Sequence, residues 1–204
     1  MQKKVTFLTD EVLPATQAIL TSYKGDTPKC LLKYIGPMTN PRRIIIAISG
    51  FLSEGADESK GWAQLIEHAN SKNIGTFNLQ WRSITKSESK TGGIGSGENL
   101  FNKAKYEAKI AGKLLACALA ARIPFFTHTV NFIGHSLGCQ VIKSCLKQLR
   151  ALKVGDLVEN VTYLAGAASC FERNEKASAF WPDVLCSTVN GTIRNVHTPN
   201  DQIL

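Results

Sequence analysis

Two kinds of apolar pattern alternate along the chain. Runs of β-branched and aromatic residues predict strands, and RRIIIAISG (42–50) predicts a strand buried on both faces because no polar residue interrupts its apolar run. Further strands are predicted at 75–81, 128–134, 158–166 and 187–196. Between the strands, apolar residues recur every three or four positions, as on one face of a helix. This alternation favours an α/β fold with a mostly parallel sheet and helices on both faces.

The predicted helices cover residues 60–72, a stretch from Leu100 to a stop before Pro124, and the segment after residue 138. Near the N-terminus, a helix and then a strand from Cys30 to Ile35 are expected to add to the sheet. The length of 204 residues predicts a single domain (1–204). We divide it into an N-terminal helix and strand region, 1–40, and a core, 41–204.

Two segments are predicted to be irregular. SESKTGGIGSGEN (87–99) is rich in glycine and small polar residues, and it lacks the Gly-Lys-Ser/Thr ending of a phosphate loop. AASCFERNEKASAFWPDVLC (167–186) separates the last two predicted strands and shows no regular period. We therefore expect loops at both places.

The formal net charge of +8 changes this picture little. No nucleic-acid-binding motif accompanies the basic residues, so no nucleic-acid partner is predicted. The six cysteines lie in apolar stretches without CxxC pairs or zinc-type spacing, which predicts reduced, buried thiols, no metal site and no cofactor. The basic residues of the predicted helices are expected to form a solvated outer face: Lys103, Lys109, Lys113, Lys143, Lys147 and Arg150.

The pattern predicts no transmembrane segment. The longest apolar run, LLACALAA (114–121), is much shorter than the ~20 residues that cross a bilayer. The N-terminal region reaches Asp10 and Glu11 before any long apolar stretch, which argues against a secretory signal. We expect an intracellular protein that is soluble or bound at a membrane surface.

The candidate chemistry lies in GHSLG, residues 134–138, where an apolar strand is followed by a helix. A serine hydroxyl needs exposure, a base and oxyanion donors before it can act as a nucleophile. A tight turn with Gly134 and Gly138 on either side of His135-Ser136-Leu137 would expose the Ser136 hydroxyl at the top of the sheet. The alternative is a glycine-lined turn that holds an inert serine.

The other parts of such a site are also predicted, with one exception. The backbone N–H groups of Leu137 and Phe51 are candidate oxyanion donors, because Leu137 follows the serine and Phe51 follows an earlier strand. Asp201 is the candidate acid, with an ordinary surface turn as the alternative. The base is missing from this pattern. A histidine is expected after the acid, but only Gln202, Ile203 and Leu204 follow Asp201.

The four histidines of the chain fit the role of base poorly. His135 adjoins the serine and is expected to point away from it, His68 to lie on a helix surface, and His128 to precede its strand at the far end. Only His197 is expected near the correct edge of the sheet. We therefore expect either that the printed sequence is a fragment or that the protein does not hydrolyse.

Segments 48–65, 75–81, 104–149 and 188–204 resemble the transmembrane and coiled-coil domain-containing family of α/β-hydrolase-like proteins. The resemblance implies an α/β-hydrolase fold, here without its last strand, and an esterase-like or lipase-like activity. It also implies Ser136 as the nucleophile and Asp201 as the acid, with a histidine later in the pattern.

Two functions are therefore expected. The first is a serine hydrolase of acyl esters or lipids. The second is a catalytically incomplete protein that serves as a subunit or scaffold, because an edge strand at 187–196 would be open to a protein partner or a second copy of the chain.

Overall fold

A computed structural model describes residues 8–36, 41, 43–91, 96–125, 127–168 and 180–197. Its sheet has the strand order β1-β3-β2-β4-β5-β6, and the strands are parallel except for β1, which runs antiparallel to β3. The predicted mostly parallel α/β fold is confirmed. The six strands are β1 (Cys30–Tyr34), β2 (Arg43–Ile48), β3 (Ile74–Trp81), β4 (Val130–His135), β5 (Val158–Leu164) and β6 (Ile193–Val196).

The helices lie on both faces of the sheet. A π-helical turn (Leu8–Val12) leads into α1, and the described α-helices are α1 (Leu13–Ser22), α2 (Glu58–Gly61), α3 (Ala63–Ser71), α4 (Lys86–Thr91), α5 (Ser96–Ala120), α6 (Gly138–Ala151) and α7 (Phe180–Thr188). The chain steps one way along the sheet from β2 to β3, and the opposite way from β3 to β4 and β5. Right-handed crossovers therefore place α3 on one face and α5, α6 and α7 on the other.

The core lies mainly under α5 and α6. Strand β2 sends Ile44, Ile46 and Ile48 to this face, where they align with Val130, Phe132 and Gly134 of β4. The five apolar side chains among them are at most 2% exposed. Gly112 of α5 lies so close to α6 that a Cβ there would be 2.2 Å from the Val141 carbonyl oxygen. Small residues therefore allow the backbones of α5 and α6 to come into contact.

The prediction of a loop at 87–99 is wrong for the residues of this segment that the structure describes. Helix α4 ends at Thr91, and α5 begins at Ser96. Thr85 caps α4: its Oγ1 accepts the Glu88 N–H at 3.1 Å, and the Glu88 carboxylate accepts the Thr85 N–H at 2.8 Å. This reciprocal pair is a capping box, and it stabilises the first turn despite the polar composition. Residues 92–95 lie outside the described part.

The last helix corrects two further predictions. Residues 180–188 form α7 and are neither irregular nor the start of a strand, and β6 begins only at Ile193. Ser187 and Thr188 are tolerated in the helix because both hydroxyls donate to the Val184 carbonyl, at 3.1 and 2.5 Å. The rest of the predicted irregular segment, from residue 169 to 179, lies outside the described part.

Burial differs most from the prediction at Lys143 and Cys186. Lys143 is only 2% exposed and does not belong to a solvated face. The reason is that α6 lies between α5 and α7, so a wider arc of its surface is covered. Cys186 is exposed, whereas Cys117, Cys139 and Cys145 are buried, and every cysteine in the described ranges is a free thiol. Cys170 lies outside them.

Candidate active site

Ser136 occupies a strained turn between β4 and α6. Its φ of 50° is in the left-handed region that residues with a side chain rarely adopt. Its N–H donates to the Leu164 carbonyl at 2.9 Å, and its own carbonyl accepts the N–H groups of Cys139 at 3.1 Å and Ala167 at 3.0 Å. These hydrogen bonds hold the backbone in place while the side chain stays half-buried. Strain that the surroundings maintain is typical of functional sites.

The glycines around Ser136 are required by close contacts. A Cβ on Gly138 would lie 2.2 Å from the Ile48 carbonyl oxygen, and one on Gly134 would lie 2.6 Å from Cδ1 of Ile142. The first contact is with backbone, which cannot move aside without shifting β2. The turn therefore fits between β2 and α6 only because these positions lack side chains.

Gly50 brings the loop after β2 against this turn. A Cβ built on Gly50 would lie 2.8 Å from Ser136 Cβ, 2.9 Å from the His135 carbonyl oxygen and 3.3 Å from Leu137 N. Within the described residues, the N–H groups of Leu137 and Phe51 donate to no backbone acceptor. Both predicted oxyanion donors thus belong to backbone that lies beside the serine, and Leu137 directly precedes the first turn of α6.

A hydrogen-bond network that no sequence pattern reveals fixes the loop after β2. Trp81 donates from Nε1 to the Ser49 carbonyl at 3.0 Å, and Trp62 donates from Nε1 to Ser49 Oγ at 2.9 Å. Ser53 Oγ donates to the Gly50 carbonyl at 2.8 Å and lies 2.9 Å from Ser83 Oγ. No motif marks these residues, because they come from three different parts of the chain.

Cys139 is a second nucleophilic atom close to the turn. Its thiol donates to the Gly134 carbonyl at 3.2 Å, and burial raises its pKa to about 12. It therefore stays protonated at neutral pH and is a poor nucleophile. Ser136 remains the candidate for nucleophilic chemistry.

None of the four histidines forms a hydrogen bond with Ser136 within the described residues. His68 and His135 are exposed, and His128 donates from Nε2 to the Pro41 carbonyl at 3.0 Å, before β4 begins. His197 is exposed and follows β6. Asp201 lies outside the described residues.

The ends of β5 and β6 lie at the same sheet edge as Ser136. The Val196 carbonyl accepts the Ala165 N–H at 2.9 Å, and the neighbouring Leu164 carbonyl accepts the Ser136 N–H. The chain after β6 therefore starts from this edge of the sheet.

A cavity of about 280 Å³ lies beside the turn, between α6, α7 and the ends of β5 and β6. Its wall includes Gly166 and Ala168. These residues flank Ala167, whose N–H donates to the Ser136 carbonyl. Among the described residues, the lining side chains carry no formal charge at neutral pH, and they include Cys139, Tyr163, Leu185, Ile193 and Asn195.

Sequence comparison gives one family and one curated relative. Residues 94–204 match a family described as a protein of unknown function, DUF726. An uncharacterized membrane protein of Schizosaccharomyces pombe is 36% identical over 107 residues, which are 52% of this chain and 13% of that protein. The chain thus matches only a small part of that relative's length. In the described part of the chain, no helix is long and apolar enough to cross a membrane.

Three solved structures of similar arrangement are compared with the chain. A dienelactone hydrolase-like promiscuous phosphotriesterase from metagenomic libraries is 11% identical, with a TM-score of 0.48 over 82% of this chain and 75% of that one. A lipase of Bacillus licheniformis is 15% identical, with a TM-score of 0.42 over 67% of this chain and 46% of that one. Est1E of Butyrivibrio proteoclasticus is 18% identical, with a TM-score of 0.44 over 71% of this chain and 50% of that one.

Proposed function

The chain belongs to the family of proteins of unknown function DUF726, and we propose that it is a serine hydrolase of acyl esters or lipids with Ser136 as the nucleophile. One observation carries the proposal: a serine at a φ of 50° lies between a buried strand and a helix, with Gly50 packed against its Cβ. A strained backbone at a serine that is held between these elements supports a functional role.

In the proposed reaction, Ser136 Oγ attacks the ester carbonyl carbon and gives its proton to a histidine. The N–H groups of Leu137 and Phe51 stabilise the oxyanion. When the tetrahedral intermediate collapses, the bond to the alcohol breaks and the histidine returns the proton to the leaving oxygen. Water then hydrolyses the acyl-enzyme by the same steps. Asp201 orients this histidine. None of the four described histidines is assigned the role of base.

The neutral cavity beside the turn supports an apolar acyl group as the substrate part that enters the site. None of the described lining residues carries a charge that would bind an anionic group, and the wall includes the neighbours of Ala167, whose N–H donates to the Ser136 carbonyl. We also propose that the chain is related to the transmembrane and coiled-coil domain-containing proteins. The membrane protein of Schizosaccharomyces pombe supports this proposal.

The test is hydrolysis of p-nitrophenyl esters of increasing acyl length by the protein expressed from its complete natural gene. We expect Ser136→Ala to lower kcat/KM by about 10⁴-fold or more. Ser71→Ala is the control, because Ser71 is an exposed helical serine far along the chain from the turn. Hydrolysis that survives Ser136→Ala, or its absence from the wild-type protein, would contradict the proposal.

A second candidate function is a non-catalytic subunit. Two observations favour it: none of the described histidines hydrogen-bonds to Ser136, and β6, paired in the described sheet only with β5, ends in a Val196 that is 52% exposed. An edge strand of this kind can pair with a partner or with a second copy of the chain. Sedimentation would show a complex or dimer if this function holds, and a monodisperse monomer with ester hydrolysis would contradict it.

A further inference from the structure

We propose that Ser53, supported by Ser83, is a positioning residue that orients the Phe51 N–H as an oxyanion donor. This inference rests on the proposed function, and it adds two side chains that the sequence does not mark. Neither serine is proposed to touch the substrate. They act through the peptide bond between Gly50 and Phe51.

The geometry of that peptide bond carries the argument. A peptide unit is planar, and in a trans peptide the C=O and N–H groups point in opposite directions. The Gly50–Phe51 bond is trans, and its carbonyl accepts the Ser53 hydroxyl proton at 2.8 Å. Ser53 fixes the direction of the Gly50 carbonyl. It therefore also holds the Phe51 N–H so that this group points away from the Ser53 hydroxyl.

The Ser53 hydroxyl is itself held in this direction. The Ser53 hydroxyl donates its proton to the Gly50 carbonyl. In the contact with Ser83 at 2.9 Å, Ser83 Oγ therefore donates and Ser53 Oγ accepts. Ser83 is 0% exposed, so its hydroxyl is shielded from water. Two hydroxyls in series strengthen each other, and the chain Ser83–Ser53–Gly50 has a defined direction.

The neighbouring backbone leaves little freedom for another arrangement. Leu52 adopts a φ of 64°, and its N–H donates to the Ser83 carbonyl at 2.9 Å. On the other side, the Phe51 ring packs edge-on against Phe101 of α5 with 5.5 Å between ring centroids. The N–H of Phe51 is thus set between two fixed contacts before any substrate binds, which is what an oxyanion donor requires.

The test is the rate of covalent labelling by a fluorophosphonate, measured with the protein expressed from its complete natural gene. Loss of one oxyanion donor costs about 10²–10³-fold in rate, and a donor that is only misdirected should cost less, so we expect Ser53→Ala to lower the maximal labelling rate about 10- to 100-fold. The half-saturating probe concentration should stay unchanged. Ser53→Thr retains the hydroxyl and should restore most of the rate.

Two controls separate positioning from general destabilisation. Ser71 Oγ makes the same kind of bond, to the carbonyl of residue 68 at 2.8 Å, and Ser71→Ala should leave the labelling rate unchanged. Ser83→Ala should lower the rate less than Ser53→Ala, and the double variant should lower it no further than Ser53→Ala alone, since both act through one bond.

A wild-type labelling rate in Ser53→Ala would overturn this inference and leave the proposed function standing. Additive losses in the double variant would overturn it as well. A wild-type protein that the probe does not label would overturn both proposals.

Discussion

Gly50 gives the sharpest test of how the loop after β2 meets Ser136. In Gly50→Ala, the new Cβ would lie 2.8 Å from Ser136 Cβ and 2.9 Å from the His135 carbonyl oxygen. Ordinary contact between carbon atoms is about 3.5–4.0 Å, so the loop must move by roughly 1 Å. Overpacking of this kind costs about 1–3 kcal/mol. In a chain of this length, that free energy lowers Tm by roughly 2–12 °C.

The same displacement should affect the chemistry. A shift of about 1 Å in a reacting group can reduce rate by about 100-fold, so labelling of Ser136 by a fluorophosphonate should fall by up to that factor. Gly61→Ala is the matched control, because a Cβ on Gly61 meets nothing within 4 Å. Melting curves and labelling rates of the two variants provide the comparison. If Gly50→Ala keeps both wild-type values, the loop and the turn are not in the contact described here.

Two further predictions concern the helices. Gly112→Ala should destabilise the protein by about 1–3 kcal/mol in denaturant unfolding, because the clash with the Val141 carbonyl outweighs the up to about 1 kcal/mol that alanine adds to helix propensity; an increase in stability would refute the close approach of α5 and α6. Burial raises the pKa of Glu107 above its ordinary 4.5, against the effect of the hydrogen bond from Tyr23. The contribution of Glu107 to the free energy of unfolding should therefore be fully present below about pH 4.5 and should be lost as the pH rises through the raised pKa. Glu107→Gln should not show this loss, and it keeps an acceptor for Tyr23. Parallel stability curves for the two proteins between about pH 4 and 8 would contradict this assignment.

The sheet could be predicted well from the sequence because a strand that is buried on both faces has an unambiguous composition. The strand at 42–50 and the edge strand from Cys30 were both correctly expected, and each lies in the sheet. Helix α4 was missed because glycine content outweighed a local signal: Thr85 and Glu88 have the spacing of a capping box and could have indicated a helix start. The burial of Lys143 was not predicted, and neither was α7, a further helix that packs against α6.

At the candidate site, the predictable part is local in the chain and the rest depends on tertiary contacts. The turn at Ser136 follows from two glycines within five residues. The contact of Gly50 with Ser136 joins the ends of β2 and β4, and the bond from Trp81 to Ser49 joins β3 to the end of β2. Such contacts have no sequence period or spacing. The positive φ values at Leu52 and Ile84 are also invisible, since neither residue type favours them.

The most direct test of the central claim is to identify the residue that carries the probe after fluorophosphonate labelling. The protein expressed from its complete natural gene would be labelled and digested, and the modified peptide sequenced by mass spectrometry, in parallel with Ser136→Ala. We predict an adduct on Ser136 and none on the variant. No adduct on the wild-type protein, or one that persists in Ser136→Ala, would contradict the claim that Ser136 is the nucleophile.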